Sequence, residues 1–383
     1  MSVHQRISNL CRAFCLLTLV FLLFTCGSTP PGRQLGGQVS VSTWYQGRKS
    51  ALSLTFDDAM ADQDTYVRPM LAKYGFKGTF YLNTGLVESG VFHFGAWDQF
   101  ARILADGHEI GSHAITHPYL TRLSEGSEAQ EGTVLYELAG SRAQINRHFP
   151  SERCLTFAYP YCDENKAINS LVARYYIAAR SGRFNPSAPA WNDPVPSDWM
   201  GLISYAPLFP DVRASEADDL PELQNVQRLL SLSVGRGTWA ILMIHSIVPF
   251  EMISTYGGWQ VISTNWFDAL CTWIRGNVDD SAVWVDTVAH VTRYAKERES
   301  VQISMESNTE SEISFSLSDD LDNAVFDFPL TMNVSVPGSW TGAQLTRADG
   351  TTEDLSINED AAALVSFDAV PGSGVLILRP QNM

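Results

Sequence analysis

Four short stretches of the 383-residue sequence carry side chains able to do chemistry. Asp57 and Asp58 stand side by side where the apolar, β-branched run at residues 51–56 stops. Neighbouring carboxylates at a strand end point in different directions, so one can face a metal ion while the other faces substrate. His113 and His117 follow a second such run, at residues 108–112. A spacing of four would set both rings on one face of a helical turn, within reach of a single ion. Tyr159-Pro160-Tyr161 ends a third run, and the fixed φ of Pro160 can aim the Tyr161 N–H at a developing oxyanion. His245 ends a fourth, at residues 241–244, where an imidazole titrating near neutrality can donate a proton to a leaving group.

Taken singly, each stretch has an ordinary structural explanation: loop acids or a helix cap, paired surface histidines, aromatic-proline packing, a hydrogen-bonded histidine. Taken together, one of the two strand-end carboxylates with His113 and His117 makes an Asp-His-His set with open positions. Such a set suits Zn²⁺, or Co²⁺ or another borderline divalent ion, that binds and polarises a water. No Cys-x-x-Cys occurs, so a thiolate zinc site has no support.

The elements that must position these groups alternate. Strand-like runs at residues 51–56, 78–82, 108–112, 154–159, 175–179, 239–244 and 282–285 are separated by helical periodicity at 65–74, 97–105, 128–149, 164–174, 221–232 and 265–275. Repeated β then α predicts a parallel sheet with helices outside, and about seven units favour closure as a barrel. Beyond residue 300 the pattern becomes alternating, at 302–305, 312–317, 330–336 and 374–378, with turn signals at Asp349-Gly350 and Pro371-Gly372. That predicts a small all-β domain, read as a sandwich.

The chain is 45% hydrophobic, 18% charged and 11% aromatic, enough to bury a substantial core. Its net charge of −16 is concentrated after Ser300, where 13 Asp or Glu face only Arg347 and Arg379. With no basic surplus in either part, a nucleic-acid partner is excluded. Arg6 and Arg12 precede an apolar run from Ala13 to Phe24, the length of an export-signal core and short for a membrane span. Residues 1–26 are therefore read as a signal peptide, and the Leu-Phe-Thr-Cys end resembles a bacterial lipoprotein signal with Cys26 as the lipidated residue. The resulting expectation is an exported protein, secreted or periplasmic or at the cell surface, touching membrane only through a lipid on Cys26. Residues 27–39 read as a flexible tether, 40–299 as the barrel and 300–383 as the small acidic β domain. If the signal is removed, Cys154, Cys162 and Cys271 remain; Cys154 and Cys162 either pair in an oxidising compartment or stay as separate thiols.

The ordered stretches Thr55-Phe56-Asp57-Asp58, His113 to Pro118, Tyr159-Pro160-Tyr161 and Leu242 to Ser246 make the sequence resemble the polysaccharide deacetylase family, the NodB-homology or carbohydrate esterase family 4 enzymes. The resemblance spans residues 40–299 and implies an α/β fold, a distorted (β/α)7 barrel, with removal of acetyl groups from an acetylated carbohydrate by a bound divalent metal. It implies Asp57 as the base that takes a proton from the attacking water, and Asp58, His113 and His117 as metal ligands. The Tyr161 N–H would be the oxyanion donor and His245 the acid. N-acetyl and O-acetyl substrates both stay open, as do a catalytically impaired carbohydrate-binding protein and a deacylase of non-sugar N-acyl compounds.

Three residues depart from that family pattern. Ala59 replaces the usual Gly, Ala114 the usual Ser or Thr, and Ala158 an Arg that orients the base. Arg180 on the next strand is the candidate substitute for that Arg, with Asp198-Trp199 in the same network. Tyr159, Pro160, Trp199 and Arg180 are accordingly the further residues expected at the substrate.

Overall fold

The structure is a computed structural model, and the described residues are 37–91, 93–182, 191–210, 212–277, 282–358 and 363–381. The readings made on residues 1–36, including Cys26, lie outside them. Among the described residues no helix is long and apolar enough to cross a membrane.

In chain order the strands of the larger part are β1 (Val39–Val41), β2 (Ser50–Phe56), β3 (Gly78–Leu82), β4 (Glu109–Ser112), β5 (Thr156–Ala158), β6 (Ala178–Gly182), β7 (Trp191–Asn192), β8 (Leu202–Ser204), β9 (Trp239–Ile244), β10 (Ile247–Val248), β11 (Ile262–Ser263) and β12 (Val283–Val285). The helices are α1 (Arg68–Tyr74), α2 (Trp97–Ala105), α3 (Val134–His148), α4 (Lys166–Val172), α5 (Leu220–Arg236), α6 (Ile253–Tyr256), α7 (Thr264–Asn277) and α8 (Val288–Ser300). β2, β3 and β9 are buried at every position, as strands covered on both faces must be.

Seven parallel strands run in the order β9-β2-β3-β4-β5-β6-β8. Tyr205, just past β8, bridges Leu242 of β9: its N–H donates to Ile241 O at 2.9 Å and its carbonyl accepts from Met243 N at 2.9 Å. This contact closes the ring into the expected seven-stranded α/β barrel. β7 lies antiparallel to the start of β9, and β12 parallel to the start of β2, as outer additions.

The terminal region holds β13 (Gln302–Asn308), β14 (Ile313–Ser318), β15 (Leu330–Ser335), β16 (Ala343–Thr346), β17 (Thr352–Leu355), β18 (Leu364–Ala369) and β19 (Val375–Pro380). They form two antiparallel sheets, β13-β14-β19-β16-β17 and β1-β15-β18. β1 thus adds to the terminal sheets, and Gly37 and Gln38 are already hydrogen bonded to Ser335 at 2.6 and 2.9 Å. The terminal sheets share one apolar core with Trp44, Trp239, Trp284, Val288, Val291 and Tyr294. A second core, built on Phe56, Phe80, Phe100, Phe157 and Phe267, fills the barrel and its helix layer.

Candidate active site

The chemistry-bearing residues gather at the C-terminal ends of β2, β4, β5 and β9, as barrel geometry requires. Asp57, Asp58, His113, His117, Tyr119, Tyr159, Tyr161, Cys162, Met243, His245 and Trp259 line one cleft of about 420 Å³. Asp58 and Ala59 have φ of 72° and 55°, so the strand-end turn runs through two left-handed residues. This explains the Gly preferred at position 59 by the resembling family: here an Ala accepts a conformation that costs an L-residue roughly 1–2 kcal/mol.

The histidine loop differs from the helical turn expected of it. Residues 113–119 are irregular, with φ of 65° at Ala114 and 58° at His117. The rings still converge, because the side chain of Glu137 on α3 braces the loop from outside. Its buried carboxylate accepts from Ile115 N at 2.8 Å, Thr116 N at 2.9 Å and Thr116 Oγ1 at 2.7 Å. Glu137 stands in for the bracing that Ala114 cannot give. Sequence reading missed it, since 22 residues separate Glu137 from the Ile115 N–H it holds.

His113 is buried, and its Nδ1 lies 2.7 Å from the Ala158 carbonyl. A carbonyl can only accept, so Nδ1 carries the proton and the Nε2 lone pair faces the cleft. Burial is the main cause that pushes His113 down to about 3, and burial also lowers His117, so both rings are neutral and fit to ligate. His113 Nε2, His117 Nε2 and Asp58 Oδ1 are mutually 3.1, 3.5 and 3.4 Å apart. A tetrahedral ion with bonds of 2.0–2.2 Å has ligand–ligand edges of about 3.4 Å, so the three atoms fit such an ion. Asp58 Oδ1 is buried and has no hydrogen-bond partner among the described residues, which is the condition of an acceptor awaiting a cation.

Asp57 is buried beside Asp58 and forms an ion pair with the fully buried Arg180. Burial would raise Asp57, but Arg180, His113 and His245 outweigh it and leave the carboxyl below its ordinary value. Asp58 moves the opposite way, raised chiefly by burial and by Asp57, with only His245 and Arg180 opposing. The guanidinium also donates to Ser204 Oγ at 3.3 Å and sits 5.2 Å from the Tyr81 ring centre. His245 Nε2 is 3.9 Å from Asp58 Oδ2, across the cleft from the histidine loop.

The outer walls are aromatic. Tyr161, at φ 57° and 52% exposed, stacks on Tyr119 with centroids 4.0 Å apart, and Trp259, 43% exposed, meets His245 edge-on at 4.9 Å. The Tyr159 hydroxyl is buried with no hydrogen-bond partner among the described residues.

The four further residues separate. Tyr159 lines the cleft. Arg180 lies behind Asp57, a substitute for the missing Arg and no substrate contact. Pro160 is buried within the Pro160–Cys162 turn and shapes the backbone only. Trp199 is away from the cleft, packed on the core shared with the terminal sheets, with Lys296 Nζ 4.5 Å from its ring centre. Asp198 accepts from Met200 N at 2.8 Å and takes no part in the Arg180 pair. Cys154, Cys162 and Cys271 are free, so the 154–162 pairing is absent.

At the strand ends of this parallel barrel, Asp58, His113 and His117 form a group whose ligand atoms could hold one metal ion. Residues 45–179 match the family model described as polysaccharide deacetylase, the family the sequence resembles. A gellan lyase of Bacillus sp is 27% identical over 351 residues, 91% of this chain; the chain spans 13% of that protein's length. Among solved structures, the esterase domain of a multidomain xylanase from the hindgut metagenome of Trinervitermes trinervoides is 17% identical, covering 63% of this chain and 89% of its own, with a TM-score of 0.40. A family 4 pseudoenzyme from Bacillus anthracis is 18% identical over 64% of this chain and 66% of its own, TM-score 0.42. The deacetylase PplD of Streptococcus pyogenes, in complex with acetate, is 23% identical over 39% of this chain and 62% of its own, TM-score 0.33.

Proposed function

We propose that the protein is an exported, metal-dependent deacetylase that hydrolyses N-acetyl or O-acetyl groups of a polysaccharide or oligosaccharide. The observation that carries the reading is the meeting, in one cleft, of three ligand atoms at tetrahedral spacing with a buried Asp57–Arg180 pair. Asp58, His113 and His117 would hold a divalent ion, Zn²⁺ by ligand type. Bound there, the ion would polarise the acetyl carbonyl and acidify a water.

The chain's own residues supply the rest. Arg180 keeps Asp57 ionised, so Asp57 can accept a proton from the attacking water. The Tyr161 N–H donates to the oxygen that gains charge at the carbonyl, and His245 returns a proton to the departing amine or alcohol. Tyr119 and Tyr161 on one wall and Trp259 on the other offer flat faces to sugar rings. The similarity to a gellan lyase along most of the chain is a further reason to look among polysaccharides. The Ala158 departure does not argue for an impaired site, since Arg180 reaches Asp57 from the neighbouring strand.

The test is acetate release from chitin oligosaccharides, peptidoglycan and acetylated xylan, with chelator and with added Zn²⁺. Release from one of them, lost with chelator and lost again in His113→Ala, is the expected result. No release from any of them by metal-loaded protein would instead favour a carbohydrate-binding protein or a different acyl substrate.

A further inference from the structure

β2 and β9 pair in parallel with Phe56 opposite Ile244, and Asp57 N donates to Ile244 O at 2.8 Å as the last bond between them. Past that point the two chains separate: Asp58 turns left-handed, and His245 leads into β10. The ladder therefore ends one step short of the two residues whose separation matters most, the proposed base and the proposed acid.

One side chain continues it. Gln63 is fully buried, and its Nε2 lies 2.7 Å from the Asp57 carbonyl and 3.2 Å from the His245 carbonyl. Both partners are acceptors, so the NH₂ must face them, and its two hydrogens bridge the two main chains. Gln63 opens a π-helical turn, Gln63–Val67, the widened geometry that recurs at functional sites. The adjacent Asp62 accepts from Ile247 N at 2.7 Å and from Tyr256 Oη at 2.7 Å. The main chain from His245 to Ile247 is thus held at two points, at the His245 carbonyl by Gln63 and at the Ile247 N–H by Asp62. The arrangement adds little stability, because Gln63 Oε1 is buried with no hydrogen-bond partner among the described residues, and an orphaned acceptor offsets the two bonds gained.

We infer that Gln63 is a positioning residue that fixes the spacing of the His245 arm from the Asp57 arm. The inference rests on the proposed deacetylase reading and deepens it. It makes a claim about leaving groups. A sugar amine or alcohol must be protonated as it departs, whereas 4-nitrophenolate leaves unaided. Loosening the His245 main chain should therefore slow the first kind of substrate and spare the second.

The experiment compares wild type with Gln63→Met, which keeps the volume and removes both donors. The substrates are whichever of chitin oligosaccharide or acetylated xylan the wild type hydrolyses, and 4-nitrophenyl acetate. Metal content and thermal melting are measured alongside. The expected result is a turnover loss of about 100-fold on the glycan against less than about threefold on the aryl ester, with metal content unchanged. Equal losses on both substrates, or no loss on either, overturn the inference. If Gln63→Met does not melt cooperatively, the near-isosteric Gln63→Glu is put through the same comparison and must show the same selectivity. Failure of both variants to fold assigns Gln63 to stability and also overturns it. Wild-type protein that holds metal but acts on neither substrate sinks the deacetylase reading itself, a result distinct from any of these.

Discussion

β4 carries a carboxylate matter of one kind at its start and another just beyond its end. At the start, Glu109 accepts from Thr156 Oγ1 at 2.5 Å, Thr79 Oγ1 at 2.8 Å and Ala289 N at 2.9 Å, so both its oxygens are occupied. Beyond the end, around His113, Asp57 Oδ1 and Asp58 Oδ1 are buried with no hydrogen-bond partner among the described residues. The same low-dielectric interior surrounds both groups. What separates them is that one set of acceptors is spent on the protein and the other is left for a ligand or a proton. Burial of an acid alone does not mark a site; burial with lone pairs to spare does.

The contrast can be broken first at Arg180, where the largest effect is expected. Arg180→Met leaves Asp57 buried without its counter-charge, which should lower stability by about 3–5 kcal/mol. Turnover should fall on the order of 100-fold as Asp57 loses its orientation. Urea unfolding and acetate release measure the two, and an active, undiminished variant would show that the pair positions nothing.

Glu297 on α8 is the sharper challenge, because its Oε2 also lacks a partner while lying far from the cleft in the shared terminal core. Its Oε1 accepts from Phe328 N at 2.9 Å. Burial is the main cause that lifts it to about 7, with the Phe328 N–H and Arg293 pulling it down. Below the ordinary Glu value of about 4.3, folded and unfolded chains both hold the proton and the group contributes nothing to stability. As pH rises from there to about 7, only the folded chain holds it, so stability falls, and above 7 the loss is complete. Glu297→Gln should remove this slope, stabilising the protein at pH 8 by about 3–4 kcal/mol and leaving it level with wild type near pH 4. Turnover should not change; thermal melts at the two pH values, run beside acetate release, decide it.

The smallest effect is expected at Glu109. Glu109→Gln should cost about 1 kcal/mol, since the two threonine hydroxyls can reorient around an amide. Metal content and acetate release should equal wild type, and a loss of either would erase the distinction between the two ends of β4.

Much of this was legible in the sequence because the motifs sit where apolar runs stop. Asp57, Asp58, His113, Tyr161 and His245 each follow a strand within a residue or three, and a parallel barrel gathers strand ends without further instruction. Arg180 was legible for the same reason, one strand along from Ala158. Trp199 was misplaced because position in a loop does not say which core the side chain packs on, and here it is the one shared with the terminal sheets. Gln63, Asp62 and Glu137 were illegible: each holds main-chain atoms of a distant segment, as Gln63 does 182 positions away, and such contacts leave no periodic trace. In the terminal sheets the Asp349-Gly350 turn was found, but its flanking strands β16 and β17 were not. Thr352–Leu355 is polar and exposed at three of four positions, as an edge strand can be, so it lacks alternation. α8 was missed because its apolar stripe, Val288, Val291 and Ala295, is interrupted by Arg293 and followed by a charged tail.

The edge strand β1 has a consequence in time. Gln38 finds its partner in Ser335, 297 positions later. At roughly 5–20 residues per second, a ribosome needs about 15–60 s to supply that partner. Throughout this interval the barrel strands can be emerging while β1 waits, its N–H and C=O groups solvated and Trp44 without the terminal sheets that share its core. The first of the described strands to be made is among the last to be paired.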